Sequence, residues 1–141
     1  MSLKIVVHGD KLDLADELAE QYVDEALEVI GDAGTLAFNE VQHQLARRIG
    51  SPRTRTAAPE GQPPELDTGE LRESYSRIPP RVKGAVATSG VQSNHPGAAR
   101  VEYGATDERG IRTLPHPAVR IAFTNIEPAV DELIQRKLLV S

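Results

Sequence analysis

The order of apolar and polar positions divides the chain into a short extended start, a helical stretch, a proline-rich interruption and a mixed second half. Leu3 to Val7 is apolar and β-branched and is followed by Gly9-Asp10, which predicts a short strand or extended lead-in closed by a turn. From about Asp13 to Ile49 the spacing reads as helical. Leu14, Leu18, Tyr22, Ala26 and Ile30 recur every four residues, and Ala33, Ala37, Val41 and Leu45 continue the stripe one position early. The shift coincides with Gly31-Asp32-Ala33-Gly34. Two glycines inside a helix each cost about 1 kcal/mol relative to alanine, so the pattern predicts a bend or a break into two helices there. Unbroken, such a helix spans on the order of 50 Å. That exceeds what a globule of this size needs, and predicts that part of the arm packs on a neighbour.

Pro52, Pro59, Pro63 and Pro64, with Gly61 between them, make residues 50–66 a long loop, because proline lacks the donor that either ladder requires. Asp67 then stands as a helix N-cap with Glu70 three residues later, the spacing of a capping box, and Leu71 and Tyr75 fall on one helical face. Ile78-Pro79-Pro80 ends that helix. Val82, Val86 and Thr88 predict one face of a strand reaching Val91, weakened at Gly84. Residues 93–97 form a turn cluster, Ala98 to Tyr103 a short helix with Gly104 as its C-cap, and residues 107–110 a second turn before a strand over 111–114. The last helix follows Pro115-His116-Pro117, with Pro117 near its start. Its apolar stripe is Val119, Phe123, Ile126, Val130, Leu133 and Ile134, and Pro128 predicts a kink or a restart from Asn125. The sum is a single α+β domain over 1–141, with a strand and helical arm over 1–49, a loop over 50–66, and a short helix, antiparallel sheet and terminal helix over 67–141.

Composition adds a constraint on burial. Only 39% of the 141 residues are hydrophobic and 4% aromatic, which predicts burial completed against further copies of the chain. The chain has no cysteine, so neither disulfides nor thiolate chemistry is expected, and no apolar run reaches the roughly 20 residues of a membrane span. The net charge of −5 is unevenly spread: residues 1–46 carry −8, residues 47–83 carry +3, and the remainder balances. An acidic first third disfavours stable duplex binding, which needs clustered cations, and suits a wall that nucleic acid passes without sticking. Arg47, Arg48, Arg53 and Arg55 sit at the start of the loop. They are candidates for binding an acidic protein surface, such as another copy's helical arm, ahead of DNA phosphate.

Candidate chemistry is sparse. His8, His43, His95 and His116 stand apart, with no His-x-Glu or Glu-x-x-His spacing to suggest a metal site. Asp67-Thr68-Gly69 matches the tripeptide of aspartic proteases, but it follows Pro-Pro and opens a helical pattern, not the strand and turn that catalysis needs. No phosphate loop or nucleophile–base spacing is present. The expectation is a protein that is not an enzyme and uses no cofactor and no metal.

Three short motifs in order carry a family resemblance over essentially the whole chain. They are Asp67-Thr68-Gly69-Glu70-Leu71-Arg72-Glu73-Ser74, then Ala98-Ala99-Arg100-Val101-Glu102-Tyr103-Gly104, then Leu114-Pro115-His116-Pro117-Ala118-Val119-Arg120. With them the chain resembles the small head–tail joining, or tail-completion, proteins of siphophages with HK-type heads. It departs from that pattern at Gly97, where an aromatic is usual, at His116-Pro117-Ala118 in place of Arg-Pro-Phe, and at Thr106, displaced by Ala105. The resemblance implies a virion protein of the phage neck, assembled in the host cytoplasm as a homo-oligomeric ring. Its partners are its own copies, connector and portal-side proteins, and tail-side proteins, with genomic DNA passing through the channel and no membrane involved. Tail terminator and head-closure roles belong to the same expectation. The reading from another class is a dimeric, nucleic-acid-binding regulatory domain that pairs through the long helix and uses the arginines for phosphate.

Overall fold

Leu3–His8 (β1) and Lys11–Asp16 (β2) pair antiparallel and open the domain as a hairpin. The computed structural model describes residues 3–8, 11–16, 23–46, 61, 69–84 and 86–139. After the hairpin come the helix Val23–Gln44 (α1), a four-residue helix Glu70–Glu73 (α2), and the strands Tyr75–Lys83 (β3) and Val86–Ser93 (β4). Ala98–Tyr103 (α3) leads into a two-residue ladder of Ala105–Thr106 (β5) with Arg112–Thr113 (β6). Val119–Ile134 (α4) closes the fold and continues into a π-helical stretch, Gln135–Leu139. The main sheet is antiparallel with order β1-β2-β4-β3, and α1 packs on one face of it with α4 alongside. This is the expected α+β class.

The helical arm is shorter than its spacing predicts. It has 22 residues, about 33 Å at 1.5 Å per residue, and begins at Val23. Leu12 and Leu14 belong to β2, where Leu12 pairs with Ser89 and Leu14 with Ala87. A recurrence of four fits a period of two as well as one of 3.6, so the pattern cannot by itself separate strand from helix at this end. Leu18 and Tyr22 lie outside the described residues, as does nearly all of the loop over 50–66. The predicted bend at the two glycines is replaced by a closely packed seam within one uninterrupted helix. A Cβ on Gly34 would lie 2.8 Å from Ser89 Oγ, and one on Gly31 would lie 3.3 Å from Pro80 Cγ. The approach is used: Ser89 Oγ donates to Ile30 O at 2.6 Å, and Arg77 Nη2 donates to Gly31 O at 3.2 Å. The glycines exchange helix propensity for proximity to the sheet.

Two further expectations are corrected in the second half. Ile78-Pro79-Pro80 lies inside β3, at a shift of register between Ile78 and Arg81. β3 is an edge strand, where proline's missing donor breaks no ladder. The predicted strand from Val82 to Val91 is a hairpin: Lys83 pairs with Val86, and Gly84 turns the chain with φ of 62°. Val82 thus pairs with Ala87 on the α1 side, while Val86 and Thr88 pair with Lys83 and Arg81 on the other face. The turn at 94–97, the α3 helix with Gly104 after it, and the turn at 107–110 all form as the pattern predicts.

The core joins the two long helices to the sheet. Ala26, Val29, Ile30, Ala33, Ala37 and Val41 of α1 are fully buried, as are Ala87 and Val91 of β4. The predicted α4 stripe faces them, with Phe123 the largest buried side chain. Pro128 sits on the exposed side of an unbroken α4, and Thr124, whose carbonyl loses its i+4 donor, is exposed as well. Polar groups also tie α4 to α1. Asn125 Nδ2 and Gln44 Nε2 both donate to Glu40 Oε1, at 3.1 and 2.8 Å. Lys137 binds Glu28 and, at 3.4 Å, Asp32. The Glu28 hydrogen bond leads in raising the Lys137 pKa, a stabilisation present below lysine's ordinary value and lost as pH rises through the raised one.

Two predictions test these seams. Gly34→Ala destabilises the fold by about 1–3 kcal/mol in urea titration, because overpacking against Ser89 outweighs the gain of about 1 kcal/mol in helix propensity. The Glu40 carboxyl is held below its ordinary value, first by Gln44 and then by Asn125. Its contribution is therefore present above the unfolded-state pKa and disappears as pH falls through the folded-state one. The stability difference between wild type and Glu40→Gln, measured by thermal unfolding across the acid range, shrinks as pH falls through the carboxylate range.

Candidate functional site

α4 begins without a capping side chain of its own, since its N-cap residue is Ala118. The first amide groups of a helix need acceptors, and here they are supplied by one carboxylate from α3. Glu102 Oε2 accepts from Ala118 N at 2.8 Å and Val119 N at 3.1 Å, while Oε1 accepts from Arg120 N at 2.9 Å. Arg120 completes the clamp. Its Nε donates to Glu102 Oε1 at 3.3 Å, its Nη2 donates to Glu102 O at 2.6 Å, and its guanidinium lies 5.1 Å from the Tyr103 ring centre. Glu102 is only 5% exposed, so its charge is compensated by three amides, a guanidinium and the positive end of the helix.

Backbone bonds extend the clamp to the remaining residues of the second and third motifs. Val101 O accepts from His116 N at 2.7 Å, and Pro115 O accepts from Gly61 N at 3.0 Å. Gly104, at φ 73°, has no room for a side chain: a Cβ there would lie 2.6 Å from Thr113 O and 3.2 Å from Pro115 N. Pro117 precedes the Ala118 cap and so lies just outside α4. The exposed large hydrophobic side chains of the described residues lie in and beside the β5–β6 hairpin that follows α3. Tyr103 is 60% exposed, Ile111 56% and Leu114 42%, all within twelve positions of sequence.

The first motif is structural in a different way from its prediction. The α2 cap position is held by Gly69, at φ 89° and with no side-chain cap, so the helix does not start from an aspartate box. Asp67 and Thr68 lie outside the described residues, as do Arg47, Arg48, Arg53 and Arg55. α2 ends before Tyr75, which opens β3, so Leu71 and Tyr75 share no helical face; both pack against the core from separate elements. Arg72 Nε donates to Gln42 O at 3.1 Å, and Gln42 Nε2 returns a bond to Arg72 O at 2.9 Å, pinning α2 to the end of α1. Ser74 Oγ lies 2.5 Å from Leu71 O and 2.6 Å from Ser93 Oγ, and Ser93 Oγ also accepts from His95 N at 3.0 Å. The first motif therefore reaches the turn that leads into α3 and Glu102.

A depression of about 300 Å³ lies where these parts meet, lined by Tyr75, Ser93, His95, Glu102, Tyr103 and Val119. The polar atoms on it are largely engaged in holding the fold: Glu102 caps α4, and His95 Nδ1 accepts from Gly97 N at 2.9 Å. Among the described residues, no three His, Cys, Asp or Glu side chains cluster in a way that would hold a metal ion. No described helix is long and apolar enough to cross a membrane.

Glu102 and Arg120 stand in separate sequence motifs, and nothing in their spacing shows their partnership. The signal available was a helix start lacking Ser, Thr, Asp or Asn at its cap, which implies an acceptor from elsewhere in the chain. Glu102→Ala leaves the amides of Ala118 and Val119 buried without their acceptor and removes that of Arg120, and costs about 2–4 kcal/mol of stability in denaturant titration. Hydrogen exchange at 118–122 accelerates in that variant more than exchange in the middle of α1, which separates loss of the cap from general loosening. No family model, curated protein or solved structure matches this chain significantly.

Proposed function

We propose that this chain is a structural protein of the phage neck, a homo-oligomeric ring that joins the head connector to the tail and leaves a channel for DNA. The observation that carries the reading is the convergence of its motifs. Glu102, Tyr103 and Gly104 meet Pro115, Ala118 and Arg120 in one clamp, and Tyr103, Ile111 and Leu114 are exposed in and just after it. Residues spent on fixing and presenting a surface suit an assembly protein better than a catalyst. Large apolar side chains left this exposed within one short stretch of sequence suit a protein–protein contact. The acidic outer side of α1, with Asp24, Glu25, Glu28 and Asp32 exposed, suits a ring whose channel repels the DNA it conducts.

Removal of this gene from the phage that encodes it is expected to give filled heads and finished tails that remain separate. Purified protein added to that lysate should restore joining, scored by electron microscopy and plaque titre. Normal virion yield without the protein would reject the neck role.

A further inference from the structure

Among the described residues, the long helices pack on one face of the main sheet. Its other face holds Lys11, Arg81 and Lys83, all exposed, around Ile78, Val86 and Thr88. Register places them together. Lys11 lies across from Gly90, which pairs with Ile78; Asp13 lies across from Thr88, which pairs with Arg81; and Lys83 pairs with Val86. These side chains line an open depression of about 710 Å³. Among the described residues, none of the three cations has a hydrogen bond or ion pair for its charged head. Ile78, Val86 and Thr88 are half-buried between these exposed cations, and among the described residues no element packs over them.

The matching surface lies on the helical layer, over the sheet's opposite face. α4 exposes Glu127, Asp131 and Glu132, with no cation paired to them among the described residues. Glu127 and Asp131 stand four apart, an arrangement that costs helix stability through like-charge repulsion unless an outside cation relieves it. We infer that the outer sheet face of one copy binds the acidic outer face of α4 in the next copy, head to tail. This rests on the ring reading and deepens it by naming the subunit contact. The two surfaces differ and lie on different sides of the domain, so the contact is heterologous and propagates as a closed ring or an open filament, not as a two-fold dimer. Charge complementarity sets the orientation, while Ile78, Val86 and Thr88 supply the apolar area. Nucleic acid fits the same cations less well, because Asp13 lies among them and the domain as a whole is acidic.

Two variants test the contact: Arg81→Glu with Lys83→Glu, and Glu127→Lys with Asp131→Lys. All four positions are exposed, and circular dichroism checks that each variant is folded. Wild type should show a native mass that rises with concentration in sedimentation and falls as salt is added. Each variant alone should associate at least about tenfold more weakly, since its two faces now carry like charge. An equimolar mixture should recover assembly, because each variant's altered face then meets an opposite charge on the other. Unchanged mass in both variants, or a mixture that stays dissociated, overturns the inference. So does a wild type that stays monomeric while its basic face retains duplex DNA. If head–tail joining still depends on the protein when mixing fails, the neck role stands and only this contact is rejected.

Discussion

A single buried carboxylate, Glu102, takes up three amides at the start of α4 and one guanidinium, and the second half of the domain is arranged around it. An unpaired charge at 5% exposure is costly, so Glu102 persists there only while α4 begins at Val119 and Arg120 folds back over it. The demand runs both ways. Ala118 offers α4 no cap of its own, and the helix needs the acceptor as much as the carboxylate needs the donors. α4 then presents Phe123 and its neighbours to α1 from a fixed starting point.

The same economy governs the contact between α1 and the sheet. Gly31 and Gly34 weaken the helix locally, yet they let Pro80 and Ser89 approach until Ser89 reaches the Ile30 carbonyl. With only two phenylalanines and no tryptophan in the chain, closeness of backbone replaces bulk of side chain as the means of filling the core. Alanine and valine predominate in the core of the described residues, beside a few leucines and isoleucines and Phe123. The exposed Tyr103, Ile111 and Leu114 are then more telling than they would be in a richer sequence.

The distribution of charge gives the domain two unlike sides. Helices with acidic outer stripes cover one face of the sheet, and the other bears the exposed cations Lys11, Arg81 and Lys83. Such polarity is what a head-to-tail assembly requires, and it arises without any residue having to serve both sides at once.

The sequence by itself determined the α+β class, the apolar stripe of α4, and the α3 helix with its glycine stop, because each rests on local spacing or on backbone conformation that glycine alone adopts readily. It did not separate Leu12 and Leu14 from the helical stripe, since a four-residue recurrence satisfies both periods. Nor did it show that Gly84 turns a hairpin, or that Pro79 and Pro80 lie within a strand. Whether a proline is tolerated depends on which side of a sheet is left unpaired. Tertiary structure alone decided the partnership of Glu102 with Arg120 and the α4 amides, together with the use of Gly34 as a contact. Both depend on groups separated in sequence, 16 to 18 positions for the clamp and 55 for the glycine and its serine, that meet only when the chain is folded.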